Sequence, residues 1–562
     1  MPPELSVPGL VRRHAERFGD RTFLIDGDDR VSFAELGRLA LALAERLRAM
    51  GVTPGGRVVI LLPNWAESVV AIFGAITAGT VAVPLSIRMR SDEMTEVIRT
   101  LQPQAVIFTE RFMTNDIAGR LAEAMDRTGT LGLIPALQVR PVTPQPWAEP
   151  FDLAGSGEAA RDRGSAPDPG PDSAPDPGSD EMICYWTSGT TGPPKGVLHR
   201  ADLLENVASW TGLLGYDDSD VIVATRPFYY ISGCCWALFG ALIHGSTLVL
   251  SDTLAVPDLL ALLVAHGGTV MLGGPSVYLQ LMDLPELAAA RPALRLKKGF
   301  FGGEPIRPGF VERVAEQLGI RRLVQCYGMT ELQGFASSTE PDDPLDITEN
   351  TVGRPLPGFE FSLHAEGGEP ITDPGAEGEL WVRGRIFAAY LRSTGLDPGT
   401  DPEGWFHTGD RFIQRSDGRW CYRGRLRDVA KVKGESVWLG EIDAVVETMP
   451  GVRRCVCLVL DQDDLGDVIA CVIEPDGAAG SGGAPDGALS EAAVREQCRA
   501  RLAPFKVPRE IRFTAAAHQW PVTVSGKVPR GEVRSWWLET AAPAAPATPA
   551  VTAAPPAPAG SQ

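Results

Sequence analysis

Thr187 to Gly196 reads TSGTTGPPKG, and its residue types suit the holding of a phosphate. Gly189, Gly192 and Gly196 let the backbone approach an anion closely, leaving N–H groups to point at its oxygens. The hydroxyls of Thr187, Ser188, Thr190 and Thr191 add donors, and Lys195 adds positive charge. The loop is not the GxxxxGK loop that ends in Ser or Thr, because Gly196 follows Lys195. Taken alone, a mobile Ser/Thr/Gly turn is the competing reading.

Five further segments follow in order. They are Gly302-Gly303-Glu304, Tyr327-Gly328-Met329-Thr330-Glu331, Thr408-Gly409-Asp410, Gly424-Arg425-Leu426-Arg427-Asp428, and PVTVSGK from Pro521 to Lys527. With the first loop, the set resembles the adenylate-forming superfamily, in its acyl-CoA synthetase-like branch. The resemblance spans about residues 5–535, leaving out an insertion and the tail. It implies ATP and coenzyme A as co-substrates, Mg2+ as cofactor, and an acyl-adenylate intermediate.

The resemblance places Gly302, Gly303 and Glu304 on the adenine side. Tyr327 offers an aromatic face for the base, with a plain core tyrosine as the alternative. Gly328 and Thr330 belong to the same motif. Glu331 is a carboxylate suited to Mg2+, and Thr190 is its expected companion. Asp410 can accept from ribose hydroxyls, and Arg425 is its opposite partner. Lys527 is the expected catalytic lysine. It would lie between a carboxylate and the α-phosphate, where charge peaks as the two anions meet. Lys195 and Glu331 complete the catalytic set. Arg427 matches the hinge about which a small C-terminal lobe turns between two half-reactions.

The acid is less legible. Pro227 to Gly233 reads PFYYISG, and Tyr230 stands where relatives commonly carry His. That makes Tyr230 the candidate beside the carboxylate, with Gly328 a further pocket candidate, while Trp236, Leu238 and Phe239, with Phe300 and Phe301 ahead of Gly302, suggest an apolar tail or ring, ordinary core packing being the alternative. No Asp or Glu occurs between Asp220 and Asp252, so a substrate ammonium would lack a counter-charge. A non-amino fatty, aromatic or alicyclic acid is therefore expected. LAPFKVP at Leu502 to Pro508 resembles the coenzyme A-dependent form of that segment. Arg499, Arg501, Lys506 and Arg509 could meet the coenzyme's phosphates or form a solvated basic face. A separate carrier protein's thiol is the alternative acceptor. A non-catalytic nucleotide-binding regulator is the alternative class, against which the intact Lys195, Glu331, Asp410 and Lys527 set argues.

These residues need a scaffold, and the apolar periodicity supplies one. Residues 33–50 have helical spacing with Gly51 as the stop, and residues 57–63 read as a buried strand. A helix at 67–78 and a strand at 81–85 follow. The alternation predicts an α/β fold with parallel pairing. The expected architecture is a large N-terminal domain (1–426) of layered α/β subdomains and a small α+β C-terminal mobile domain (427–539), joined by a hinge. Residues 155–180 are a Gly/Ser/Pro/Asp-rich insertion containing SAPDPG twice, and 540–562 an Ala/Pro-rich tail without an apolar face. The apolar run from Ser232 to Leu250 reads as a buried helix and strand.

Composition narrows the classes. The chain has 562 residues and a formal net charge of -19, which disfavours nucleic acid as a partner. Nine cysteines without a CxxC pair argue against disulfides and a structural zinc site, and fit reduced thiols in the cytoplasm. No transmembrane segment or leader is expected.

Overall fold

The computed structural model describes residues 5–151, 181–187, 195–304, 306, 308–426, 429–432, 435–463, 466–475, 489–514, 520, 528 and 530–541. Ser188, Gly189, Thr190, Thr191, Gly192, Arg427, Lys527 and the 155–180 insertion lie outside the described residues. The chain forms two compact units, Met1–Leu426 and Arg427–Gln562.

The N-terminal unit shows how patterning becomes structure. The helix Phe33–Ala49 buries Leu36, Leu39, Ala40, Leu43 and Leu47 at helical spacing. Ser32 caps it by accepting from the Glu35 N–H at 3.1 Å. Its apolar stripe lies on the helix Ala66–Thr77, where a Cβ at Gly74 would come within 2.7 Å of Leu43. That contact is close enough for Leu43→Ala to cost about 2–5 kcal/mol.

Beside these helices, Arg57–Leu61 pairs in parallel with Val81–Pro84 and Ala105–Thr109. After Arg57 it is apolar and buried at every position, Val58 to Leu61, rather than alternating, as in a strand covered on both faces. The sheet has nine strands and continues through Glu181–Thr187 and Lys195–Arg200 to Ala389–Arg392. A second nine-stranded sheet contains Val221–Val223, Val270–Gly273, Lys298–Gly302 and Arg322–Tyr327, all parallel. A third, antiparallel sheet has five strands and carries Phe406–Gln414 and Trp420–Arg425.

The apolar run near residue 232 is buried, as expected, with one refinement. Cys234–Phe239 is a π-helical stretch, followed by a short helix Gly240–His244 and the strand Thr247–Val249. No helix among the described residues is long and apolar enough to cross a membrane.

In the C-terminal unit, Val452–Asp463 and Gly466–Pro475 form a long antiparallel hairpin. Glu510–Phe513 adds to it in parallel, and helices Leu439–Glu447 and Glu491–Arg501 contribute to its core. The last helix, Arg530–Ala541, runs two residues into the segment expected to be an unstructured tail. Arg512 holds that end, donating to the Trp537 carbonyl and to Thr540. All nine cysteines are buried and unpaired by disulfides.

Candidate active site

Three sheets of the N-terminal unit bring Lys195 and Glu331 into one cluster and Tyr327, Asp410 and Arg425 into another. The first is built by strand pairing. Thr187 and Lys195 face each other in register, so the two ends of the TSGTTGPPKG segment's described residues are paired in one sheet. Ala389–Arg392 pairs antiparallel with the strand that Lys195 begins, with Leu391 opposite Gly196. This sets the Tyr390 ring under Lys195, with Nζ 3.4 Å from the centroid.

Glu331 enters from the second sheet. It lies on the short turn Thr330–Leu332, just beyond the strand Arg322–Tyr327. Tyr390 Oη donates to Glu331 Oε1 at 2.9 Å, and Lys195 Nζ lies 3.3 Å from the same oxygen. The turn is pinned by the Phe387 N–H, which donates to the Glu331 carbonyl at 2.9 Å. Burial holds the Lys195 ammonium below its ordinary pKa, while Glu331 pulls it back up. Burial and the adjacent Glu331 push the Tyr390 phenol up, keeping it a donor.

Gly328 shapes this turn through close approach. A Cβ there would sit 1.9 Å from the Gly334 carbonyl oxygen, so any side chain would force the strand end and the returning loop apart. Thr330 lies in the same turn. Gly302, at the end of the neighbouring strand, is equally crowded, with a Cβ 2.3 Å from the Cys326 carbonyl oxygen.

The second cluster centres on Asp410, which is 1% exposed. Asp410 and Arg425 are directly opposite in the third sheet. Arg425 Nε meets Asp410 Oδ1 at 2.9 Å, and Tyr327 Oη donates to Oδ2 at 2.7 Å. The Asp410 N–H donates to Thr408 Oγ1 at 3.1 Å, and that hydroxyl donates to the Leu380 carbonyl at 2.7 Å. Gly409 has φ +67°, a left-handed conformation that glycine adopts without cost, and its N–H donates to Glu379 at 2.9 Å. Tyr327 is buried edge-on against Phe412, with burial and the nearby Asp410 raising its pKa.

The segment expected to contact the acid follows the C-terminal end of the parallel strand Val221–Val223. Trp236 stacks on Phe335 and meets Phe300 edge-on, with centroids 5.2 and 4.8 Å apart. Tyr230 packs against Tyr229, and burial pushes its phenol up. Asn64 clamps the start of this segment, donating to the Arg226 carbonyl and accepting from the Phe228 N–H. Glu304 accepts from both the N–H and the hydroxyl of Ser276 and lies 3.8 Å from Arg226. Gly303 precedes it with φ +79°.

Sequence reasoning missed Tyr390, Arg226 and Glu379. Tyr390 sits in FAAYLR, with no motif to mark it; only the pairing of distant strands puts it beside Lys195. Glu379 lies in a strand whose partner carries Thr408 to Asp410, and Arg226 immediately precedes the PFYYISG segment.

Comparison with known proteins places this geometry in context. A 3-[(3aS,4S,7aS)-7a-methyl-1,5-dioxo-octahydro-1H-inden-4-yl]propanoyl:CoA ligase from Rhodococcus jostii (strain RHA1) is 28% identical, covering 94% of this chain and 98% of that protein. The long-chain-fatty-acid–CoA ligase FadD13 of Mycobacterium tuberculosis is 25% identical, covering 91% and 94%. The crystal structure of a benzoate CoA ligase from Burkholderia xenovorans LB400 shares the fold, with TM-score 0.77 at 23% identity over 94% of this chain and 99% of that one. The family model for the AMP-binding enzyme C-terminal domain matches residues 441–527. That for the AMP-binding enzymes matches residues 11–391, and the chain belongs to this adenylate-forming family, in its acyl-CoA synthetase-like branch.

Proposed function

We propose that the chain activates a fatty, aromatic or alicyclic carboxylic acid with ATP and passes the acyl group to coenzyme A. In the first step the carboxylate attacks the α-phosphate, giving acyl-AMP and pyrophosphate. In the second the coenzyme's thiol attacks the acyl carbon, releasing AMP and a proton and leaving a thioester. The enzyme is an AMP-forming ligase of the carbon–sulfur class.

The observation that carries this reading is the convergence of Lys195 and Tyr390 on Glu331 Oε1 at the mouth of the phosphate loop. Lys195 is placed to draw phosphate oxygens to that mouth. Both contacts fall on one oxygen of Glu331 among the described residues, and a carboxylate so oriented suits a hard divalent cation. Glu331 and Thr190 would hold Mg2+, which when bound would neutralise triphosphate charge. Thr187, Ser188, Gly189, Thr191 and Gly192 would cradle the phosphates. Asp410 and Arg425 would hold the ribose, with Tyr327 fixing the Asp410 carboxylate. Gly302, Gly303 and Glu304 would border the base.

Lys527 would bridge the attacking carboxylate and the α-phosphate. The C-terminal domain, 427–539, would turn about Arg427 to exchange the two half-reactions. Trp236, Tyr230 and Gly328 would line the acid pocket. The apolar ring cluster around Trp236 favours an acid with an apolar body, in keeping with the names of the relatives. The cytoplasm is the compartment that supplies these co-substrates.

Pyrophosphate release should be measured over a panel of fatty, aromatic, alicyclic and α-amino acids, with and without coenzyme A. Release with apolar acids and none with amino acids is expected. Thioester formation only with an added carrier protein would transfer the acceptor role to that protein. No release with any acid would remove the proposal.

A further inference from the structure

Cys455, Cys457 and Cys471 belong to the C-terminal unit and to none of the clusters described above. Cys455 and Cys457 are two apart on one strand of the long hairpin, so their side chains share a face. Cys471 is directly opposite Cys457 on the other strand. The three therefore meet as a triangle, in the core that also contains Ile442 and Val446 of the helix Leu439–Glu447. Their sulfurs all lie within 4.8 Å of one another, and Cys455 Sγ and Cys457 Sγ are 4.0 Å apart. None is more than 3% exposed.

The size of the triangle suits three-coordination. With ion–sulfur bonds of about 2.3 Å, a planar three-sulfur site needs sulfurs about 4.0 Å apart, and a pyramidal one somewhat less. No fourth His, Cys or carboxylate ligand joins the group among the described residues. Structural zinc, which takes four ligands, is therefore a poor fit.

Charge narrows the choice further. Asp443 accepts from the Cys457 N–H at 2.6 Å and pairs with Arg530 at 2.5 Å. Three thiolates around a monovalent or divalent ion would leave net negative charge in an apolar core beside a carboxylate, which is costly. Around a trivalent ion they leave none.

We propose that Cys455, Cys457 and Cys471 form a three-sulfur site for a trivalent thiophilic ion, of which arsenite is the representative. The exchange balances without redox change. Arsenous acid loses three hydroxyls, the thiols lose three protons, three As–S bonds form and three waters leave. Because the sulfurs are closed off, entry waits on opening of the hairpin, and uptake is slow.

The test uses the reduced full-length protein incubated with sodium arsenite and then desalted. One arsenic per chain is expected, with an intact mass that gains one arsenic and loses three hydrogens. X-ray absorption at the arsenic edge should show three sulfur neighbours and no oxygen. Cys457→Ala should weaken retention at least about 10-fold, as loss of a ligand does, whereas Cys184→Ala should leave it unchanged. Arsenic bound through two sulfurs and an oxygen, retention unchanged in Cys457→Ala, or no retention at all overturns the site. If Cys457→Ala does not fold, the wild-type absorption spectrum and mass decide alone.

Discussion

Tyr390 Oη donates to Glu331 Oε1 at 2.9 Å, on the oxygen that also faces Lys195 Nζ at 3.3 Å. A tyrosine that no motif marks thus orients the carboxylate proposed to hold Mg2+. A hydrogen bond to a charged group is worth about 1.5–3 kcal/mol. Tyr390→Phe should therefore lower kcat/KM for ATP roughly 10- to 100-fold with the melting temperature little changed. Steady-state kinetics at varied Mg2+ check this. An unchanged kcat/KM would leave Tyr390 with a packing role only.

The Asp410 cluster gives a second expectation. Tyr327 and Arg425 occupy different oxygens of one buried carboxylate. Asp410→Asn should raise KM for ATP more than it lowers kcat, because the ribose contact proposed for it is uniform across the reaction. Tyr327→Phe and Asp410→Asn should be non-additive, with a coupling of about 1 kcal/mol or more in ATP binding. Calorimetric titration of the single and double variants measures it, and additive losses would dissociate Tyr327 from the ribose site.

The roles proposed for Lys527 and Arg427 separate the two half-reactions. Lys527→Ala should lose at least about 100-fold in ATP–pyrophosphate exchange, the scale of other lost electrostatic stabilisers. Arg427→Pro should impair thioester formation more than adenylation, because a fixed φ at the hinge restricts the turn. Exchange that survives Lys527→Ala, or equal loss of both steps in Arg427→Pro, would contradict these roles.

Acid should unfold the N-terminal unit through His199. Burial alone lowers its pKa from 6.5 to about 3, and neither ring nitrogen has a hydrogen-bond partner among the described residues. Between those two values the unfolded chain takes up a proton that the folded one does not. Stability therefore falls as pH falls from 6.5 toward about 3, with about 2 kcal/mol lost to this residue by pH 5. His199→Phe should flatten the urea-midpoint profile between pH 7 and 5. A profile as steep as the wild type's would assign the sensitivity to other groups, such as His244.

Much of the scaffold was legible because it is local. The apolar spacing of residues 33–50 and the continuous apolar run at 57–63 follow from period and capping, and they fold as the helix Phe33–Ala49 and the strand Arg57–Leu61. The motifs also carry Lys195, Glu331, Tyr327, Asp410 and Arg425, which the fold gathers into the two clusters described. The contacts among them were not legible. The Tyr327 hydroxyl reaches Asp410 across 83 residues of sequence, and Tyr390 reaches Glu331 across 59. Such pairings are fixed by strand order, which no local pattern encodes. The cysteines illustrate the same limit: without a CxxC they read as scattered core residues, and an antiparallel register gathers three of them.

The central claim is that one carboxylic acid, one ATP and one coenzyme A become acyl-CoA, AMP and pyrophosphate. The most direct measurement is quantitative chromatography of all products from a single reaction with an apolar acid, with ATP limiting. The account requires AMP, pyrophosphate and acyl-CoA in about equal amounts, with acyl-AMP accumulating when coenzyme A is left out. ADP and orthophosphate as the nucleotide products would contradict it.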